Sequence, residues 1–234
     1  HRDSNGSDYD YFSAFTDVTN QVRNTGNGTY TLSDLDLNEW IPYYYYGNKT
    51  NFGGWTIIIV YKNDNLPLNQ VNVYDGLQAV PDEISFTLNN LNVIDNHHSK
   101  IGFLAWEGDQ NIALGESLFI NDNLVSNLPF NPEDNAFNGT NTFNNTVTPN
   151  MDLDVYDIQN NIQVGDTEAI IEITSGRDFV MINSIVTKLN NQLPDGTITI
   201  DAINKECNSR VIVVDYTIYN LNCTNALPSG TPIA

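Results

Sequence analysis

The strongest hydrophobic signal in the chain is a seven-residue run, residues 55–61, that contains three consecutive isoleucines and a valine. The run is short for a helix and rich in β-branched residues, so it predicts a strand buried on both faces. Residues 62–69 follow with asparagine, aspartate and proline, which are typical of a turn. Residues 70–75 then alternate between apolar and polar side chains. We therefore expect a central strand, a polar connection and a partner strand.

Similar patterns predict further strands, and no long amphipathic helix interrupts them. This alternation predicts an all-β fold, a jelly-roll-like β-sandwich in residues 1–190. A turn-rich stretch, residues 190–196, separates it from residues 191–234, where two more strands predict the start of an incomplete immunoglobulin-like domain. The additional predicted strands are residues 83–88, 99–106, 117–120, 168–174, 179–189, 197–202 and 210–221.

The charge balance limits the partners of the chain. Nine basic residues stand against 29 acidic ones, and the formal net charge is -20. Such a chain repels nucleic acid and anionic membrane surfaces and attracts divalent cations, of which calcium is the first to consider. Asparagine occurs 36 times, which favours loops and strands over helices. The first residue is His1 and no signal-peptide pattern or apolar span follows, so we interpret the chain as processed or as a fragment without membrane insertion.

Candidate cation ligands lie where one predicted strand runs out into glycine. Glu107 and Asp109 flank Gly108, and Gly115 with Glu116 follow before the next strand. Glycines beside carboxylates allow backbone and side-chain oxygens to converge, as a calcium site with six to eight ligands requires. A glycoside hydrolase would also use two nearby carboxylates, but nothing in the sequence indicates a cleft, so we do not expect an enzyme.

A second acidic motif reads MDLDVYDI, where strand alternation places Asp152 and Asp154 on one face. Two carboxylates on one face repel each other unless they are solvated or bridged by a cation. Asp75, at the end of the predicted partner strand, is expected beside Glu107 and Asp109. We predict that these five carboxylates include the ligands of a structural calcium ion.

Aromatic residues precede the apolar run: Trp40 and then four consecutive tyrosines, residues 43–46. On a strand, four successive aromatics place two side chains on each face, so one pair can meet solvent or ligand. One hypothesis is a carbohydrate-binding platform, with Trp40, Tyr44, Tyr45 and Trp106 stacking on a glycan. The alternative, which we favour, is an amphipathic edge packed under a long loop.

Residues 121–150 are the longest stretch with little periodicity, and they contain ten asparagines and three prolines. Loops of this length are usually functional or tied down, and disorder is the alternative. Earlier in the chain, the adjacent His97 and His98 do not predict a zinc site, because neighbouring histidines on a strand point to opposite faces and the one further histidine is His1. We interpret both as solvated loop residues.

The two cysteines flank the last long predicted strand. Twelve extended residues would hold the Cα atoms of Cys207 and Cys223 about 40 Å apart, far beyond the reach of a disulfide. We therefore expect them not to pair with each other, and to have either partners elsewhere in a longer chain or free thiols.

The ordered motifs FTDVTNQV, GNGTYTL, GGWTIIIVYKNDNLPLNQVNVYDG, GFLAWEGD, SLFIN and MDLDVYDI span roughly residues 11–190. This series resembles a domain of large bacterial surface proteins, including gliding-motility-associated adhesins of Bacteroidota. CNSRVIVVDYTIYNLNC followed by LPSGTPIA is similar to the start of the bacterial cell-adhesion-related, immunoglobulin-like repeats that accompany such domains. The resemblance implies a secreted, cell-surface adhesin module exported by the type IX system, with neighbouring domains in a longer chain. It assigns no ligand and no catalytic residue.

Overall fold

The structure, a computed structural model, describes residues 2–3, 11–39, 41–42, 53–80, 83–113, 115–148, 150–176, 178–192, 196–208 and 210–220. Strands account for most of the regular structure in these ranges, which confirms the all-β prediction. The elements are β1 (Arg2–Asp3), β2 (Tyr11–Phe12), α1 (Thr19–Thr25), β3 (Asn69–Val80), β4 (Glu83–Asn89), β5 (Asp95–Trp106), β6 (Ser117–Ile120), β7 (Asn123–Val125), β8 (Thr140–Asn141), β9 (Thr146–Val147), β10 (Met151–Asp157), β11 (Glu168–Thr174), β12 (Val180–Asn190), β13 (Gly196–Lys205) and β14 (Ile212–Asn220).

Two sheets form the sandwich, one in the order β3-β12-β5-β10-β8-β9 and the other in the order β4-β11-β6-β7. The pairing is nested: β3 pairs with β12, β4 with β11, β5 with β10, and β6 with β7, all antiparallel. The eight principal strands alternate in pairs between the sheets, which is the arrangement of a jelly roll. The prediction of an all-β, jelly-roll-like sandwich is therefore confirmed.

The hydrophobic core lies between the two sheets because alternate side chains of each strand point inward. Phe103 of β5 and Ile185 of β12 come from the larger sheet, while Ile171 and Ile173 of β11 come from the smaller one. All four are at most 3% exposed. Phe103 also contacts Tyr156 of β10 edge to face, with 6.1 Å between the ring centroids.

The prediction of a central strand at residues 55–61 is wrong. This stretch has an irregular backbone, and Val60 and Tyr61 are 61% and 69% exposed. The predicted partner strand does form, as part of β3, but it pairs with β12, which in turn pairs with β5. Strands from distant parts of the chain thus occupy the centre of the sheet, so local β propensity did not decide the pairing.

The described part of residues 121–150 is an excursion that includes β7, β8 and β9. Phe137 is fully buried in the core, and its ring centroid is 5.7 Å from that of Phe103. Near the start of β5, His97 and His98 are exposed as expected but belong to the strand, so the loop prediction was wrong for them.

β13 and β14 form a separate two-stranded antiparallel sheet, close to the predicted positions. Whether they begin an immunoglobulin-like domain stays a prediction. Cys207 follows β13 and is exposed with a free thiol, whereas Cys223 lies outside the described residues. Along the described ranges, no helix has the length and hydrophobicity needed to cross a bilayer.

Candidate metal centre

Three strand ends meet at one end of the larger sheet. Trp106, the last residue of β5, is paired with Met151 at the start of β10 and with Met181 near the start of β12. The residues that follow β5 and precede β12 are therefore neighbours, although about seventy positions separate them in sequence. The N–H of Asp109 donates a hydrogen bond to Oδ2 of Asp178 over 3.3 Å.

Glu107, Asp109 and Asp178 form the outer part of this cluster. One carboxylate oxygen from each lies within 4.8 Å of the others. Glu107 leaves the strand with a φ angle of 76°, and its N–H donates to the carbonyl oxygen of Asn150 over 3.0 Å. The left-handed backbone turns the chain sharply here, because β5 cannot continue past a residue with positive φ. This arrangement of acidic side chains is able to bind a metal ion.

Buried carboxylates continue the cluster toward the core. Asp152 and Asp154 share the inward face of β10, as their spacing predicts, and both are fully buried. Oδ1 of Asp152 accepts hydrogen bonds from the N–H groups of Gly139 and Thr140 over 2.8 and 3.2 Å. Oδ2 of Asp154 accepts one from Nδ2 of Asn131 over 2.8 Å.

Glu116, immediately before β6, is another buried carboxylate of the cluster and is 1% exposed. Its Oε1 accepts a short hydrogen bond from the N–H of Phe137. This excursion therefore packs against the acidic side chains, and its backbone N–H groups donate hydrogen bonds to Glu116 and Asp152.

Both oxygens of Asp178, which is also buried, accept hydrogen bonds from backbone N–H groups, but Asp152, Asp154 and Glu116 each keep one oxygen without a hydrogen-bond partner among the described residues. These atoms are Oδ2 of Asp152, Oδ1 of Asp154 and Oε2 of Glu116. A buried polar atom left unsatisfied costs about 1–3 kcal/mol, and a charged one costs more. Protonation or a bound cation would satisfy these three oxygens.

The pKa values show how unfavourable the negative charges are in this environment. Burial, with smaller contributions from the charges of Asp109 and Asp178, raises the pKa of Glu107 to about 7. Burial raises the pKa of Glu116 to about 9 against the opposing hydrogen bond from Phe137. The cause is loss of hydration and mutual repulsion of like charges.

Asp152, Asp154 and Asp178 follow the same rule. Burial raises the pKa of Asp152 to about 7 despite its backbone donors, and burial together with the Asp152 charge raises that of Asp154 to about 8. Burial also raises the pKa of Asp178. Among the described residues, the ion pairs join Lys62 to Asp64, His97 to Asp95 and Lys100 to Asp157, so none neutralises this cluster.

The structure brings four of the five predicted ligands to this end of the sandwich. Glu107 and Asp109 are in the outer group, while Asp152 and Asp154 lie on the buried side. Asp75 is in the middle of β3, opposite Ser184, and is not part of the group within 4.8 Å.

Asp178 and Glu116 were not among the predicted ligands. Asp178 lies in the turn before β12. The sequence of this turn, SGRD, is typical of an ordinary connection between two strands. The sequence places Glu116 beside Gly115, close to the predicted site. The one sequence signal that could have identified Glu116 as a ligand is its position directly before an apolar strand. Asp178 can be identified as a ligand only from the pairing of β5 with β12.

The proposed glycan platform is only partly described. Trp40, Tyr44 and Tyr45 lie outside the described residues. Trp106 is half-buried, and its ring lies against Gly54, where an added Cβ would be 2.1 Å from a ring carbon. That contact covers part of the ring that stacking on a sugar would need.

Comparisons with protein families, with curated proteins and with solved structures give no match.

Proposed function

We propose that this protein is a non-enzymatic, calcium-binding module of a bacterial cell-surface adhesin. The main observation that supports a bound cation is the environment of Asp152. Its carboxylate is fully buried, one oxygen has no partner, and the surrounding described side chains are acidic rather than basic. A bound cation would remove both the unsatisfied oxygen and the repulsion.

Calcium suits the donor set better than other common metals. The available ligands are carboxylate oxygens from β10 and from the segments that follow β5, precede β6 and precede β12, and calcium accepts six to eight oxygens in irregular geometry. Magnesium demands a near-ideal octahedron, and zinc prefers histidine and cysteine, which the group formed by Glu107, Asp109 and Asp178 does not contain.

A calcium ion here would tie together the ends of β5 and β12 and the segment around Phe137. It would act as a structural clamp, because the acidic side chains that these segments bring together otherwise repel one another. A clamped sandwich is suited to a module that transmits force between neighbouring domains of a longer surface chain. In that role it would attach to a surface glycan or another extracellular ligand, or space other modules that do.

The adhesin assignment is supported by the ordered motif series and by the acidic, asparagine-rich composition. It predicts an extracellular location and a contribution to attachment during gliding motility. Antibodies raised against the protein should label intact source cells, and protease added to intact cells should remove the epitope. Labelling only after lysis would contradict the assignment.

Calcium titration of chelator-treated protein by calorimetry tests the cation part. We expect saturable calcium binding, with magnesium at least about tenfold weaker. Equal affinity for both ions would contradict a calcium-selective site, and no heat with either ion would contradict a cation site altogether.

A further inference from the structure

The β13–β14 hairpin has two chemically different faces. Among the described residues its strands pair only with each other, so the hairpin is not part of either sandwich sheet. The register places Ile200 opposite Tyr216 and Ile203 opposite Val214. Paired residues of an antiparallel sheet lie on the same side, and side chains alternate along each strand. Positions 212, 214, 216 and 218 of β14 therefore share one face with their partners on β13, which we call the apolar face.

A β-bulge at Asp201 keeps the apolar face continuous. The register shifts between Ile200 and Ala202, so β13 has one extra residue at this point. Without the bulge, strand alternation would place Ile203 on the side opposite to Ile200. With the bulge, the apolar side chains of both strands lie together. The apolar face consists of Ile198, Ile200, Ile203, Ile212, Val214, Tyr216 and Ile218, with Lys205 at one end.

The opposite face of the hairpin is largely polar, and its polar groups bond to one another. The hydroxyls of Thr199 and Thr217 both donate hydrogen bonds to the carboxylate of Asp201. Nδ2 of Asn204 donates to Oδ2 of Asp215 over 3.2 Å. The polar face is therefore suited to contact with water, whereas the apolar face is not.

The apolar face is nevertheless open to solvent. Six of its seven apolar residues are between 42% and 64% exposed. A two-stranded hairpin alone is marginally stable in water, and a contiguous exposed apolar patch of this size usually marks an interaction site. We therefore expect a partner to cover this face.

A second copy of the same face fits the chemistry of this patch. The chain has 29 acidic residues, yet none lies on the apolar face, and the one charged residue there, Lys205, is at its end. Two such faces can therefore pack about 10 Å apart, as the sheets of a sandwich do, without burying a carboxylate.

The area is also sufficient for a dimer. A residue of this size presents about 200 Å² when fully exposed, so the six exposed residues present about 650 Å² per copy. Packing two copies would bury about 1,300 Å², which lies at the lower end of the range for specific interfaces.

We propose that the chain forms a symmetric dimer in which the apolar faces of two β13–β14 hairpins pack against each other. A two-fold axis allows one patch to serve both copies, because each copy contributes the same surface. The contact involves the hairpin alone and depends neither on the acidic cluster nor on a bound cation.

Sedimentation velocity of the 234-residue chain tests the proposal, in reducing buffer so that the free thiol of Cys207 forms no disulfide. An interface of this size predicts a Kd on the order of 10 μM. The average mass should therefore rise from monomer toward dimer between about 1 and about 200 μM protein, equally in calcium and in EDTA. A chain that stays monomeric over this range would overturn the proposal and assign the face to a different partner.

Matched variants locate the interface. Val214 lies on the apolar face and Val213 on the opposite face, and the two are 42% and 54% exposed. Val214→Lys should raise the Kd of the dimer at least tenfold, because it places a charge in the interface. Val213→Lys makes the same change in charge and strand propensity and should alter the Kd less than about twofold. Equal weakening in both variants, or none in Val214→Lys, would overturn the proposal.

Milder variants exclude loss of the hairpin as the cause. Val214→Thr and Val213→Thr keep a β-branched side chain, so both preserve the preference for a strand. Val214→Thr should still weaken the dimer about threefold or more, and Val213→Thr should not. The reverse order, or equal values, would contradict packing through the apolar face.

Discussion

Asp152 and Gly108 are packed so closely that no side chain fits between them. A Cβ placed on Gly108 would lie 2.1 Å from Oδ2 of Asp152 and 2.6 Å from the carbonyl oxygen of Phe137. The glycine is thus required for the buried carboxylate to hold its position between β10 and the excursion.

Gly108→Ala should destabilise the protein by about 1–3 kcal/mol, because the extra methyl group forces a shift of backbone or carboxylate in a packed region. Urea unfolding measures the change. Gly76→Ala is the matched control, since a Cβ at Gly76 meets nothing within 4 Å. Equal stability of the two variants would show that the contact between Gly108 and Asp152 is not as close as described.

The metal-free protein should lose stability as the pH rises from about 5 to 9. Burial places the pKa of Glu116 at about 9 and those of Glu107 and Asp152 at about 7 in the folded state, well above the values of about 4 in an unfolded chain. The folded state therefore binds more protons than the unfolded state throughout this window, so stability is greatest at the acidic end and falls with pH until the folded-state groups have ionised.

Urea unfolding in metal-free buffer at several pH values measures this trend. Glu116→Gln, which cannot ionise, should flatten the upper part of the profile and raise stability at pH 8.5. A profile that rises with pH in the wild-type protein would contradict the description of the cluster as buried and unpaired.

Much of the fold follows from the sequence, but its centre does not. Apolar patterns correctly indicate the strands that became β5, β11 and β12. They also indicate a strand at residues 55–61, where none forms, because pairing among distant segments is decided by the whole sheet and not by local propensity. The nested jelly-roll pairing has no local signature.

The site shows the same division between local and distant information. The shared face of Asp152 and Asp154 follows directly from strand alternation. Asp178 joins Glu107 and Asp109 only because β12 pairs with β5, and Asp75 is excluded only because β3 continues past it for several residues. Carboxylates that are far apart in sequence can be assembled only once the strand order is known.

Asp178→Asn should weaken calcium binding at least about tenfold, because it removes one charged oxygen ligand from the outer group. Asp75→Asn is an informative control, since the sequence pattern selects Asp75 while the structure places it outside that group. Calorimetric titration of both variants distinguishes the two accounts. Equal loss of affinity in both, or loss in Asp75→Asn alone, would contradict the ligand set described for the structure.

Limited trypsin digestion should cut after Lys62 well before it cuts after Lys100 or Lys188. Lys62 follows the irregular stretch at residues 55–61 and its side chain is 88% exposed, whereas the other two lysines lie within β5 and β12. Cleavage requires local unfolding, which is easier outside a hydrogen-bonded sheet. Mass spectrometry of early fragments identifies the order, and simultaneous cleavage at Lys62 and Lys188 would contradict the strand assignment.

The central claim is that a cation completes the buried acidic cluster, and thermal unfolding with and without calcium tests it most directly. A ligand that binds only the folded state at one hundred times its dissociation constant adds about 2.7 kcal/mol. For a chain of this size that corresponds to a rise in Tm of roughly 5–10 °C. We expect calcium to produce this rise in chelator-treated wild-type protein, EDTA to reverse it, and Asp178→Asn to lose most of it. Superimposable melting curves of the wild-type protein in calcium and in EDTA would contradict the claim.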